Sequence, residues 1–397
     1  MMKNTIKNYD AIIVGGGMVG AAVALGLAQS GWSVAIIEHQ SPSEFIADSQ
    51  PDIRISAIGC TSVALLERLG VWPDIKKMRI TPYRRLETWE WDESKVVFDA
   101  ASLSLPELGF MVENRLIQLG LWQQFERYPD LALFCPARLE RMVRTTQDPA
   151  QWDVILDSGD CLRSPLVIGA DGANSMVRKL AGIGTTGWQY RQSCMLISVE
   201  TQQLPQDVTW QKFYPSGPRA FLPLSDRHAS LVWYDSPARI RHLQSLSLPE
   251  LDSEIAAAFP ERLGAVNAKA TASFPLIRRH AQRYFKSGVV IVGDAAHTIN
   301  PLAGQGVNLG YRDVEVLLDV LLNAHKEGKD YASDEVLSRY QLRRYPDNLL
   351  MQAGMDIFYK AFSNDIPPLR LIRNLALMAA QRAGKLKEWA LKYALGL

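Results

Sequence analysis

The sequence predicts an α/β protein: a Rossmann-like nucleotide-binding domain, an inserted antiparallel-sheet domain for substrate, and a helical C-terminal region. Three observations carry this. A strand, a glycine turn, a helix, a second strand and an acid follow one another from Asp10 to Glu38. From about Trp188 to His280, strand-like runs alternate with Pro, Gly and Asp, the texture of an antiparallel sheet. From Gly306 onward, long helix-like segments dominate. The expected division is 1–187 for the first part of the nucleotide domain with a hairpin insert, 188–284 for the substrate domain, 285–330 for the rest of the nucleotide domain, and 331–397 for the helices.

At 397 residues the chain is longer than one typical core supports. Its 47% hydrophobic and 21% charged content is that of a folded, soluble protein. A net charge of +1 argues against a nucleic-acid binder. The cysteines Cys60, Cys135, Cys161 and Cys194 form no CxxC pair. They predict neither a zinc site nor a disulfide framework, as expected in a reducing compartment. Met1 to Asp10 lacks an apolar signal core, and no run reaches the ~18 to 20 apolar residues of a membrane span. The expected location is cytoplasmic.

The short apolar run Asp10 to Val14 ends at Gly15-Gly16-Gly17-Met18-Val19-Gly20. A helix predicted over Ala21 to Ser30 closes at Gly31, and the run Ser33 to Ile37 ends in Glu38. Gly15 permits the tight turn, Gly17 lets backbone approach a pyrophosphate, and Gly20 lets helix and strand pack closely. Glu38, eighteen residues after Gly20, can accept hydrogen bonds from a ribose diol, which points to FAD or NAD.

Arg54 lies between Ile53 and Ile55. It suits a phosphate or a flavin edge, with a surface ion pair as the plain alternative. Tyr83 to Asp99 reads as a hairpin, with Trp89 and Trp91 as packing residues. Met111 to Tyr128 has the apolar period of a helix. Asp171-Gly172 is a turn signal after the buried-type strand Pro165 to Gly169, and a candidate second contact to a dinucleotide. The stretch Gly293 to Gly310 is unusually rich in small residues and enters a helix at Gly304-Gln305-Gly306. Such a helix start offers free N–H groups to an electron-rich ligand. Further helices are expected over Asp334 to Phe362 and Pro368 to Leu395. From Ile366 to Leu397 the chain has six Lys or Arg against Glu388, with Leu369, Ile372, Ala376 and Ala379 at helical spacing. This predicts a basic amphipathic helix that lies on an anionic membrane or a partner, or packs on its own core.

The glycine fingerprint with Glu38, the Asp171-Gly172 turn and the Gly293-Asp294 pair, in this order and spacing, resemble the single-component flavin-dependent aromatic hydroxylases. His297 to Gly310 looks like the signature of the hydroxylases of ubiquinone biosynthesis. The resemblance covers nearly the whole chain. It implies FAD as cofactor, NADH or NADPH as reductant, O2 as co-substrate, and a polyprenyl benzoquinol ring hydroxylated through a flavin hydroperoxide. It implies that Gly15, Gly17 and Gly20 hold the pyrophosphate and Glu38 the adenosine ribose. Arg54 then approaches the flavin, and Gln118 lies against the FAD chain. Asp171 and Gly172 contact both cofactors, and Asp294 binds the ribityl chain. The backbone of Gly304, Gln305, Gly306, Val307 and Asn308 faces the flavin ring, and Pro301 lies beside the substrate. No catalytic base is assigned: His297, the nearby histidine, is read as hydrogen-bonded structurally. Phe221, Trp233 and Tyr234 are candidates for excluding water. Two other readings are a sibling hydroxylase acting at another ring carbon and a non-catalytic prenyl-protein chaperone of the same fold. An apolar substrate implies peripheral contact with the inner face of the membrane, or a biosynthetic complex, through the basic C-terminal helix.

Overall fold

The computed structural model describes residues 6–146, 149–299 and 306–395. Ala11–Val14 is buried along its whole length, as a strand covered on both faces must be. It pairs in parallel with Val34–Ile37 on one side and Leu166–Gly169 on the other. Val289–Ile291 and Leu131–Phe134 extend this sheet in parallel, and Phe285–Lys286 closes one edge antiparallel. The turns at Gly15, Ala170 and Gly293 therefore follow the carboxyl ends of three neighbouring strands, where open α/β sheets bind ligands. The helix Met18–Ala28 is apolar almost throughout and buried from Gly20 onward. It packs between this sheet and the helix Gly306–Lys326.

The second large sheet has eight strands, dominated by Thr185–Thr201 and Val266–Ala281 running antiparallel. The hairpin Arg85–Trp89 and Val96–Asp99 joins it, with the first of these strands parallel to Val208–Lys212. This corrects the expectation of an insert belonging to the first nucleotide segment. Trp89 is 1% exposed and packs on Trp210 at 5.8 Å between ring centroids, so the hairpin needs the large sheet to cover its apolar face. At the opposite edge His297–Thr298 pairs with Val266–Ala281. The chain leaving the Gly293 turn thus enters the second sheet at once.

Two helix expectations shift. Gly109–Glu113 is a strand, the α-helix covers Asn114–Gln123, and a 3-10 turn follows at Phe125–Arg127. Met111 and Val112 are held between Ile55–Gly59 and Ile80–Tyr83, and this cross-strand pairing overrides a helical period. The C-terminal helix is two helices, Pro367–Gln381 and Lys385–Leu395, separated at Gly384 with φ +51°.

The helix Asp334–Phe362 carries Tyr340, Arg344, Asn348, Gln352 and Asp356 four residues apart, all buried. They meet a polar network at the junction of the two sheets. Asp313 Oδ2 accepts from the Gly293 N–H at 3.0 Å and pairs with His297 Nε2 at 2.5 Å. Its Oδ1 accepts from Arg344 Nε at 2.8 Å and Asn348 Nδ2 at 3.1 Å. Gln352 donates to the Arg279 and Thr298 carbonyls, so its Oε1 must face His280 Nδ1, which donates to it at 2.9 Å. His280 Nε2 is then free of a proton and accepts from the Tyr284 hydroxyl at 3.3 Å.

The fold thus holds His280 neutral. Burial first, and then the charge of His297, push its pKa from 6.5 down to about 4. An unfolded chain binds this proton below pH 6.5 and the folded one only below about 4. The stabilisation is complete above pH 6.5 and lost as pH falls to about 4. Urea midpoints should fall across that window by an amount equivalent to about 3 kcal/mol from this group. His280→Gln should flatten the slope, and an unchanged slope would contradict the assignment.

Candidate functional site

The three turns open onto one cavity of about 840 Å³ between the two sheets. One wall is Gly17, Met18, Val19, Ala170, Gly172, Gly293, Asp294, Gly306 and Val307. The other is the large sheet, through alternate residues such as Leu196, Ala220, Leu222, Val232, Tyr234 and Leu276. Period-2 alternation puts Trp233 and Phe221 on the opposite face, in the core under the helices Pro237–Ser245 and Leu248–Ala258. Of the three aromatics expected to exclude water, Tyr234 lines the cavity.

The glycine turn has the space each position requires. A Cβ on Gly15, at φ +104°, would lie 2.4 Å from the Ala170 carbonyl oxygen, and one on Gly20 would lie 1.9 Å from that of Gly15. A Cβ on Gly17 would meet nothing within 4 Å, because Gly17 faces the cavity. Gly17 is also the N-cap of its helix and gives it no side-chain cap. The first-turn N–H groups of that helix therefore remain for a ligand, at the positive end of its dipole.

Glu38 is buried beside the turn. It accepts from the Gly16 N–H at 2.7 Å and the His39 N–H at 2.7 Å. Gln118 and Trp122 both donate to the Gly16 carbonyl, at 2.9 and 2.8 Å. Gln118, expected against the cofactor chain, is not among the cavity-lining residues and holds the glycine turn through this bond. Arg54 is exposed and lines the cavity. Asp171 Oδ2 caps the helix Met176–Leu180 through the N–H groups of Met176 and Val177. Its Oδ1 is buried without a protein partner, while Gly172 lines the cavity. Asp294 opens into the cavity, yet protein surrounds it closely enough that burial pushes its pKa up, with His297 pulling the other way.

Gly306 and Val307 line the cavity at the start of their helix, and a Cβ on Gly306 would meet nothing within 4 Å. Asn308 turns away. Its amide accepts from the Gly59 N–H and the Ser62 hydroxyl and donates to the Ala57 carbonyl, which ties this helix to the strand Ile55–Gly59. Its side chain is therefore structural. Pro301, Gly304 and Gln305 lie outside the described residues. His297 is 2% exposed and engaged by Asp313. Asp313, bound to His297 and Arg344, stays well below the usual carboxylate range despite its burial.

Sequence reasoning missed Arg279, Asn174 and Leu391. Arg279 lines the cavity and donates to the Ala173 carbonyl and to Asn174, fixing the turn after Gly172. Leu391, on the last helix, is 4% exposed, lines the cavity and packs with Ala57, Tyr83, Leu108 and Met111. Charge and apolar spacing gave no sign of where that helix lies.

The chain matches a family model described as an FAD binding domain over residues 8–348. It is 61% identical to 3-demethoxyubiquinol 3-hydroxylase of Escherichia coli (strain K12), over 99% of this chain and 100% of that protein. The chain belongs to the FAD-binding hydroxylases of ubiquinone biosynthesis. Within this family it is also 35% identical to ubiquinone hydroxylase UbiL of Rhodospirillum rubrum, over 98% of this chain and 90% of the relative. The fold is that of p-nitrophenol 4-monooxygenase PnpA from Pseudomonas putida DLL-E4. The TM-score is 0.79 at 19% identity, covering 98% of this chain and 99% of that one.

The cavity residues fit the family's cofactor. An uncapped helix start, open space at Gly17 and Gly306, and the Asp294 carboxyl lie along one wall. The two glycine positions separate fold from binding. Gly17→Ala should leave the apoprotein's urea midpoint unchanged and weaken FAD binding about tenfold or more, measured by flavin fluorescence quenching. Gly20→Ala should destabilise the apoprotein itself by about 1–3 kcal/mol or more. Asp313→Asn should cost about 3–5 kcal/mol in denaturant unfolding, because Arg344 and His297 stay buried without their carboxylate.

Proposed function

We propose that this chain hydroxylates the ring of a polyprenyl benzoquinol, 3-demethoxyubiquinol, as an FAD-dependent monooxygenase using NADH or NADPH and O2. The observation that carries this reading is a single cavity with two chemically different walls. One offers backbone N–H groups and a carboxyl, the other an apolar sheet face, so a polar cofactor and an apolar ring share one space. The E. coli relative named for this activity matches end to end.

When bound, FAD supplies the redox chemistry, taking electrons from the nicotinamide and activating oxygen. The chain supplies position and environment. The uncapped first turn of the helix Met18–Ala28 would offer its N–H groups to the pyrophosphate. Asp294, open to the cavity on the same wall, would accept hydrogen bonds from the ribityl hydroxyls. The start of the helix Gly306–Lys326 lines the same wall, and its positive dipole end would favour negative charge on a flavin ring held there. Leu196, Leu222, Val232 and Tyr234 cover the substrate ring and keep water out. The ring's own hydroxyl groups make it electron-rich. His297, buried and held by Asp313, is not available as a base. A polyprenyl tail favours a lipid phase, which supports a cytoplasmic enzyme working at the inner face of the membrane.

Purified protein should be yellow, and a short-chain demethoxyubiquinol should stimulate NAD(P)H oxidation and O2 uptake, giving a product with one more oxygen. Cells lacking the protein should accumulate the demethoxy quinone by mass spectrometry. Accumulation of an earlier, less hydroxylated precursor would assign the reaction to another ring carbon. Colourless protein with no turnover would refute the enzyme reading.

A further inference from the structure

The helix Pro367–Gln381 is built inside out. Its inner face holds Arg373 and Asn374, which are 6% and 0% exposed, beside Leu377 at 8%. Its outer face holds Leu369, Leu371, Ile372 and Leu375, which are 45%, 50%, 62% and 52% exposed. A helix on a soluble core normally does the reverse. Its orientation is locked from within. Arg373 Nε and its outer nitrogen bind both oxygens of the buried Glu90, at 2.7 and 2.6 Å. Asn374 Nδ2 donates to Glu90 at 2.6 Å, and its Oδ1 accepts from the Trp91 N–H and the Ser94 hydroxyl. Rolling the helix to bury its leucines would strip a buried carboxylate of Arg373, Asn374 and Arg370 together, which costs more than the apolar contact gains. The exposed apolar face is therefore a fixed feature of the fold.

We infer that this face docks on an anionic lipid bilayer. The cations around it choose the occupant. Lys360 on the preceding helix, Arg382 at the C-cap of this one, and Lys385 and Lys392 on the next are exposed, against the exposed acid Asp365 beside the helix start. A second copy presenting the same face would bring these cations together, whereas anionic headgroups neutralise them. Leucine and isoleucine inside a cationic rim is the composition of a helix lying in a membrane interface. Among the described residues no helix is long and apolar enough to cross a membrane, so the contact is with the surface. The next helix, across Gly384, places Leu391 in the wall of the catalytic cavity. The docking face and the cavity wall are thus consecutive in the chain, which puts the entry for an apolar quinol at the bilayer. This step rests on the proposed function; the docking surface itself does not.

The test is flotation of the full-length holoenzyme with vesicles of phosphatidylglycerol and phosphatidylcholine, compared with phosphatidylcholine alone. Wild type should float with the anionic vesicles, and binding should weaken as salt is raised. The double substitution Ile372→Glu and Leu375→Glu alters exposed positions, so FAD content and turnover of a short-chain soluble quinol should be unchanged. Its vesicle binding should fall about tenfold or more. Arg382→Glu with Lys385→Glu should remove the preference for anionic lipid. Absence of wild-type flotation, or equal flotation of the Ile372/Leu375 variant, overturns the proposal. A wild-type dimer in sedimentation that this variant dissociates assigns the face to a second copy and overturns it equally. Because soluble-quinol turnover is read separately, loss of docking with turnover intact leaves the enzymatic reading standing.

Discussion

One buried carboxylate ties the site to the fold. Asp313 sits on the helix that starts at the cavity, and it has four donors. Gly293 belongs to the turn that presents Asp294, His297 to the edge of the second sheet, and Arg344 and Asn348 to the long helix behind both. A charge so deeply buried persists only where every lone pair is used and an opposite charge is near. Asp313 meets both conditions by drawing on three separate elements. Displacing any of them leaves an uncompensated ion, so the relative positions of turn, sheet edge and helix are set together.

The consequence for chemistry is register between two walls. The nucleotide sheet ends in glycine turns, and the strand His297–Thr298 carries the chain directly into the second sheet. The cofactor wall and the substrate wall are thus joined within a few residues. Gln352 reinforces this by binding the Arg279 and Thr298 carbonyls together. Arg279 in turn fixes the loop after Gly172. Ring hydroxylation at a bound FAD would depend on the distance between these walls, and the network holds that distance.

Much of the nucleotide site was legible because its requirements are local. Gly15 and Gly20 must lack a Cβ for reasons found within one turn and one adjacent strand. Glu38 must follow the next strand because parallel pairing brings it beside the turn. Side-chain roles were less legible. Gln118 and Asn308 both have the right character for a ligand, yet each is spent on a backbone group far away in sequence. The buried polar stripe from Tyr340 to Asp356 was visible as five residues four apart. Its meaning depended on Asp313 and His280, whose proximity no periodicity reveals.

The sequence by itself determined the α/β class, the order of the glycine turns and the family, since these rest on residue types at fixed short spacings. Only the tertiary structure decided which faces the later elements present. The C-terminal segment has the same amphipathic pattern whichever way it is turned. Glu90, on a loop nearly three hundred residues upstream, binds Arg373 and turns the apolar side outward. The hairpin that carries Glu90 joins the large sheet because Trp89 needs Trp210 to bury it. Such choices are made by partners distant in sequence, and the balance of desolvation and pairing between them exists only once the chain has folded.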